Sequence, residues 1–182
     1  MQNFKTDVAN STAHRPSREG LANRVLADAQ LLPELLSIAF DTKNKSHHKA
    51  CWILELVLEN NIALISPYLD EFCNTAKSYN HEGAIRSISK ICLFLAQQNH
   101  TTPVTLNQQQ KELITETCFD WLIAPDGKVA SKAYAMRALY LLGKDTDWVY
   151  TELQRILQDD FTKHTAAYKA AAKELLQKLK NS

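Results

Sequence analysis

The sequence predicts an all-α fold, a short solenoid of stacked helix pairs. Three observations carry this expectation. Gly and Pro are scarce, at 4 and 5 in 182 residues. Apolar residues recur at spacings of three and four along nearly the whole chain, and a short basic-then-small motif returns in four of the predicted helices. Strand-rich domains need more turn-forming residues, and no stretch alternates with period two for long enough to make a strand. A chain of this length fits one domain and can bury a sizeable core.

The elements follow in order. Met1–Pro16 mixes polar and charged residues without period and reads as a flexible N-terminal arm. Ser17 is a suitable N-cap for a helix over Arg18–Ala29. Leu31–Asp41 is short, with Pro33 in its first turn, where the missing N–H costs nothing. Ser46–Asn60 is apolar around much of its circumference. Ile62–Ser78 sets Ile65, Tyr68, Leu69, Phe72, Cys73 and Ala76 on one face, and Pro67 implies a helix start at Ser66 or a kink. His81–Gln97 has a stripe of Ile85, Ile88, Ile91, Cys92 and Leu95. Gln98–Leu106, with Pro103, is the one long loop. Asn107 and Gln110 form a capping-box pattern before the helix Gln108–Ile123. Pro125-Asp126-Gly127 is a turn signal, Val129–Leu142 is helical, and Gly143 stands where a C-terminal cap belongs. Asp147–Gln158 and Lys163–Lys180 complete about nine helices joined by short loops.

Composition narrows the function classes. Hydrophobic residues are 45% and charged residues 23%, as in soluble globular proteins. A net charge of +1 disfavours a dedicated nucleic-acid binder, which carries a large basic excess. Cys51, Cys73, Cys92 and Cys118 are far apart and lie among apolar residues, so they read as reduced, buried side chains. No apolar leader precedes the first helix and no run nears the roughly 18 apolar residues of a membrane span, so the expected compartment is the cytoplasm. A monomer is the expected state. No Gly-rich phosphate loop, nucleophile elbow or cofactor motif is present, and no cofactor is expected.

The repeat is the most informative pattern. Lys49-Ala50, Arg86-Ser87, Lys132-Ala133 and Lys169-Ala170 each precede an apolar run, with their basic residues 37, 46 and 37 residues apart. The prolines of Leu32-Pro33-Glu34-Leu35 and Ser66-Pro67-Tyr68-Leu69 are 34 residues apart. One helix pair cannot bury its own apolar stripe, so pairs stack to make a continuous core. In this register the chain, from about Arg18 to Lys180, resembles the HEAT and armadillo repeat family. The resemblance implies a right-handed α-α superhelix of four pairs plus a leading helix. His48-Lys49-Ala50-Cys51-Trp52-Ile53-Leu54-Glu55, Pro67-Tyr68-Leu69-Asp70, Lys90-Ile91-Cys92, Cys118-Phe119-Asp120-Trp121-Leu122-Ile123 and Ala130–Leu142 are similar to short bacterial HEAT-like proteins, some of which are labelled adenylosuccinate lyase. Lyases of that superfamily carry a mobile Ser-Ser-x-Met-Pro-x-Lys loop. This chain has none, and neither Met1 nor Met136 precedes a proline.

Three sets of residues invite a role. The first is the basic ladder of Lys49, Arg86, Lys132 and Lys169, extended by Lys90 and Lys173. In repeats of this kind such residues bond acidic or carbonyl groups in the turns; on an open face they would make a track for phosphates or an acidic segment. The second is Trp52, toward the polar side of its helix, which either anchors a partner or packs on the next helix pair. Trp121 and Trp148 read as packing residues. The third is His47, Cys51 and Glu55, on one helix at spacings of four, of which His and Cys suit zinc; a site needs three or four ligands, and no further His/Cys pair at ligand spacing joins them. His48, His81, His100 and His164 read as solvated. The chain is thus expected to be a non-catalytic binding or scaffold module for a protein or peptide. Nucleic-acid binding in the manner of HEAT-like DNA-repair glycosylases is the alternative, and a lyase activity is a more distant one.

Overall fold

A computed structural model of the protein describes residues 3–98 and 104–181. Among these residues the regular structure is helical: ten α-helices and three 3₁₀ segments. The helices are α1 Phe4–Asn10, α2 Arg15–Ala27, α3 Leu31–Ala39, α4 His47–Asn60, α5 Leu69–Ala76, α6 Glu82–Gln98, α7 Gln108–Ile123, α8 Val129–Leu142, α9 Asp147–Asp160 and α10 Ala166–Lys180. The chain divides into two compact units, residues 1–91 and 92–182, where the sequence reading expects one domain after a flexible arm. The boundary falls within α6, and residues 99–103 of the expected long loop lie outside the described residues.

In the first unit α1 packs on α3, and α2 and α3 both pack on α4. Within the stretch expected as a loose arm, residues 4–10 are helical. Asn3 caps α1 by accepting a hydrogen bond from the Lys5 N–H, and Phe4 and Val8, one turn apart, are buried. Arg24 of α2 fastens the helix by bonding Asp7 at 2.7 Å while its guanidinium lies over the Phe4 ring. A segment this short is not helical alone; two apolar side chains and one ion pair supply the tertiary support. The α2 start also moves. It begins at Arg15 with Pro16 in its first turn, and the Ser17 hydroxyl instead accepts from the Thr12 N–H. The described residues thus hold ten α-helices where about nine are expected.

Pro67 has the larger local effect. The predicted continuous helix Ile62–Ser78 is a 3₁₀ segment, Ile62–Tyr68, followed by α5. Proline lacks the N–H of a continuing ladder and its ring crowds the preceding turn, so the regular helix starts after it. The core of this unit includes Leu35, Ile53, Leu54, Val57, Phe72 and Ile88.

In the second unit α7 packs on α8, and α9 and α10 both pack on α8. The Asn107/Gln110 capping box forms in both directions, at 2.8 and 3.0 Å. The bounds of α7 and α8 coincide with the expected ones. Gly143 does not adopt the left-handed conformation of a C-terminal cap; its φ is −76° and a short 3₁₀ segment follows. Its bare Cα serves packing instead, since a Cβ there would meet the Tyr150 ring at 2.6 Å. Leu139, Leu153, Leu157, Tyr168 and Ala172 fill the core around α8. Among the described residues no single helix is long and apolar enough to cross a membrane.

Candidate functional site

The ladder residues meet different fates. Lys132 is 2% exposed, and its ammonium donates to the Leu122 carbonyl in the last turn of α7 at 2.8 Å. The Pro125–Gly127 turn closes over its stem: a Cβ on Gly127 would meet Lys132 Cε at 3.1 Å. Burial pulls the Lys132 pKa below the ordinary lysine value, against the opposing pull of Asp160. Lys49 makes the corresponding bond in the first unit, donating to the Ala9 carbonyl near the C-terminus of α1. Tyr79 does the same for α3 through the Ala39 carbonyl at 2.7 Å. Unpaired carbonyls at a helix C-terminus attract donors and positive charge, which accounts for the places of Lys49 and Lys132.

Arg86 and Lys90 converge on Glu55, a carboxylate only 2% exposed in the middle of α4. Glu55 accepts from the Ser87 hydroxyl at 2.6 Å and from Lys90 at 3.0 Å, and Arg86 lies 3.9 Å away. Lys90 also reaches Glu59 at 3.1 Å. Burial works against the Lys90 charge, but its bonds to Glu55 and Glu59 outweigh it and hold its pKa above the usual lysine value. This network joins α4 to α6. Lys169 is half-exposed and Lys173 exposed on α10. Of the six cations, Lys132 is thus buried, and Arg86 and Lys90 are engaged by carboxylates.

Trp52 is half-buried. Its ring stands edge-on to His48 at 5.0 Å, and a Cβ on Gly83 would meet its indole nitrogen at 2.9 Å. His48 and His81 are stacked face to face at 4.0 Å, and His47, 7% exposed, lies against His48, His81 and Tyr79. These histidines form an aromatic cluster in which His81, as expected, is exposed while His48 is half-buried; His164 is also half-buried and stacks on Tyr168 at 4.0 Å, and His100 lies outside the described residues. His47, Cys51 and Glu55 point to separate partners: Asn44 carbonyl, Ala39 carbonyl, and Ser87 with Lys90. Among the described residues no group of three or more His, Cys, Asp or Glu is arranged to hold a metal ion.

The cluster has a consequence for stability. Burial, then the neighbouring His81, His47 and Lys49, push the His48 pKa down to about 4 from an ordinary 6.5. Between these values the unfolded chain binds a proton that the folded chain refuses, so stability falls as pH drops through that window. We expect a loss on the order of 1–2 kcal/mol after solvent screening. Urea midpoints measured across the window should fall less steeply in His48→Gln.

Trp148 is placed differently from its expected packing role. It is 57% exposed, whereas Trp121 is buried at 7%. Trp148 opens α9 and stacks on Phe119 of α7 at 5.7 Å with an interplanar angle of 27°. With Ile123, 56% exposed, they border a groove of about 620 Å³ between α7 and α9, completed by Thr151, Glu152, Arg155 and Ile156. On its other side Trp148 borders a second hollow of about 340 Å³, lined by Lys111, Glu112 and Thr115 among others. Arg155 is engaged by Glu152 at 2.6 Å and Asp159 at 3.1 Å. Phe119 and Ile123 had one sequence signal: they repeat at four residues, outside the Ile114, Thr117, Cys118, Trp121 row that α7 turns to the core. That Trp148 faces outward follows from the packing of α9 on α8, which no single helix encodes.

No curated protein and no solved structure matches this chain. A family model does: the HEAT repeat domain matches residues 7–179, a span that takes in the paired helices from within α1 to the last turn of α10. The chain belongs to the HEAT repeat domain family.

Proposed function

We propose that this chain is a non-catalytic binding module that holds a segment of a partner protein or peptide in the groove between α7 and α9. The observation that carries the reading is Trp148. A tryptophan left more than half exposed, stacked on a second aromatic and set beside an exposed isoleucine, keeps a contiguous apolar surface in water. Such a surface acquires its stabilisation when a partner covers it, and tryptophan is among the residues most enriched at energetic centres of interfaces. The groove has few converging polar groups for a small polar ligand, and its one guanidinium is already held by two carboxylates. A HEAT repeat scaffold gives a second, associational support, because stacked helix pairs offer continuous helix faces for contact. The alternative reading, a basic track for nucleic acid, is weakened by the buried Lys132 and the Glu55-engaged Arg86 and Lys90.

The test compares Trp148→Ala with the parent chain. The thermal midpoint should be nearly unchanged, since an exposed side chain contributes little to folding. Partners recovered from native lysate should fall away, with affinity for an identified partner reduced about 30-fold or more. A partner set that is the same for both proteins removes the groove from the function.

A further inference from the structure

We propose that the occupant of the α7–α9 groove is a basic amphipathic helix of a partner protein, its apolar row against Phe119, Ile123 and Trp148 and its lysines or arginines facing the carboxylates of α7 and α9. The inference rests on the groove being the docking site and adds the chemistry of what docks.

Charge segregates by helix in the second unit. The helices α7 and α9 carry seven carboxylates against two cations, Lys111 and Arg155. The helices α8 and α10 carry six cations against one carboxylate, Glu174. Within the second unit the excess of negative charge therefore lies on the two helices that flank the apolar groove. The placement is close as well as numerical. Glu116 and Asp120 are exposed and lie one turn before Phe119 and Ile123, so they share the outer face of α7. Glu152 lines the groove itself, and Glu112 lines the neighbouring hollow beneath Trp148. Arg155, the cation on the groove wall, is shared by Glu152 and Asp159, so this trio keeps a net charge of −1 and the exposed Glu116 and Asp120 carry the rest of the acidic rim. An apolar floor between acidic rims is complementary to a helix with apolar anchors at spacings of three and four and cations beside them.

The probe is a synthetic helix with leucine on one face and lysine on the other, titrated against the full chain by fluorescence anisotropy. Its counterpart has glutamate in place of lysine. The lysine peptide should bind and the glutamate peptide should bind at least tenfold more weakly. Trp148→Ala should weaken the lysine peptide tenfold or more, and Glu116→Lys with Asp120→Lys should weaken it roughly tenfold and reduce its salt dependence. Equal binding of both peptides, lost in Trp148→Ala, would overturn the basic partner while leaving the groove as a docking site. Binding that ignores Trp148→Ala, or no binding at all, would overturn the inference, and the native-lysate comparison then decides the groove separately. Self-association of the parent chain that disappears in Trp148→Ala would instead assign the groove to a second copy, whose α10 is also basic, and would overturn the partner reading.

Discussion

Glu55→Ala is expected to destabilise the protein by about 2–3 kcal/mol, because it strips the α4–α6 junction of its central acceptor. Three groups lose a partner together. The Ser87 hydroxyl, on a fully buried residue, loses its 2.6 Å acceptor. Lys90 loses one of two carboxylates, and Arg86 its long contact. Breaking a buried ion pair by removing one side reaches about 3–5 kcal/mol, but Lys90 retains Glu59 and some access to water, which places the loss below that range. Glu55→Gln should recover about half, since an amide oxygen still accepts from Ser87 while the charge is gone. The measurement is the urea midpoint of the three proteins. A Glu55→Ala loss below about 0.5 kcal/mol would mean that the network is satisfied by water and does not hold α4 to α6.

Lys132→Ala is expected to cost about 3 kcal/mol, through two separable effects. The aliphatic stem fills space under the Gly127 turn, and deleting it leaves a cavity. The ammonium is the donor to the Leu122 carbonyl at the end of α7, and without it that acceptor is buried and unpaired. Lys132→Met separates these effects, keeping the stem and removing the donor. It should cost about 1–2 kcal/mol, reduced by the relief of burying a charge. A Lys132→Met protein as stable as the parent would show that the stem alone matters at this position. The two substitutions lie in different units, so each reports on its own set of helices.

The residues that shape these predictions were unevenly legible. Lys132 and Lys49 stand out in the linear sequence because the repeat returns them to equivalent places. Their partners do not stand out, since a carbonyl acceptor exists at every residue and only the fold selects Leu122 and Ala9. In the sequence Glu55 is one corner of a His, Cys and Glu set on one helix face. The spacing was real, but spacing cannot tell which neighbouring helix faces each side chain, and Ser87 and Lys90 arrive from α6, more than 30 residues on. From the sequence Trp148 reads as a packing residue and Trp52 as either an anchor or a packing residue. The structure sets Trp52 against His48 and Gly83 and leaves Trp148 more than half exposed beside the groove.

What the sequence by itself determined is the helical repeat. Helix formation is local, and its signals lie within a few residues of each other: apolar spacing of three and four, the Asn107/Gln110 cap, the Pro125–Gly127 turn and the scarcity of Gly and Pro. The recurrence of a basic and a small residue every 37 to 46 positions carried the family assignment for the same reason, since each repeat restates the same local problem. Only the tertiary structure decided that α1 is a helix, that Glu55 is buried among donors, and that Trp148 is exposed over an apolar groove. These depend on which helix faces meet, and the free energy of that meeting comes from side chains far apart in the chain, whose separation leaves no periodic trace.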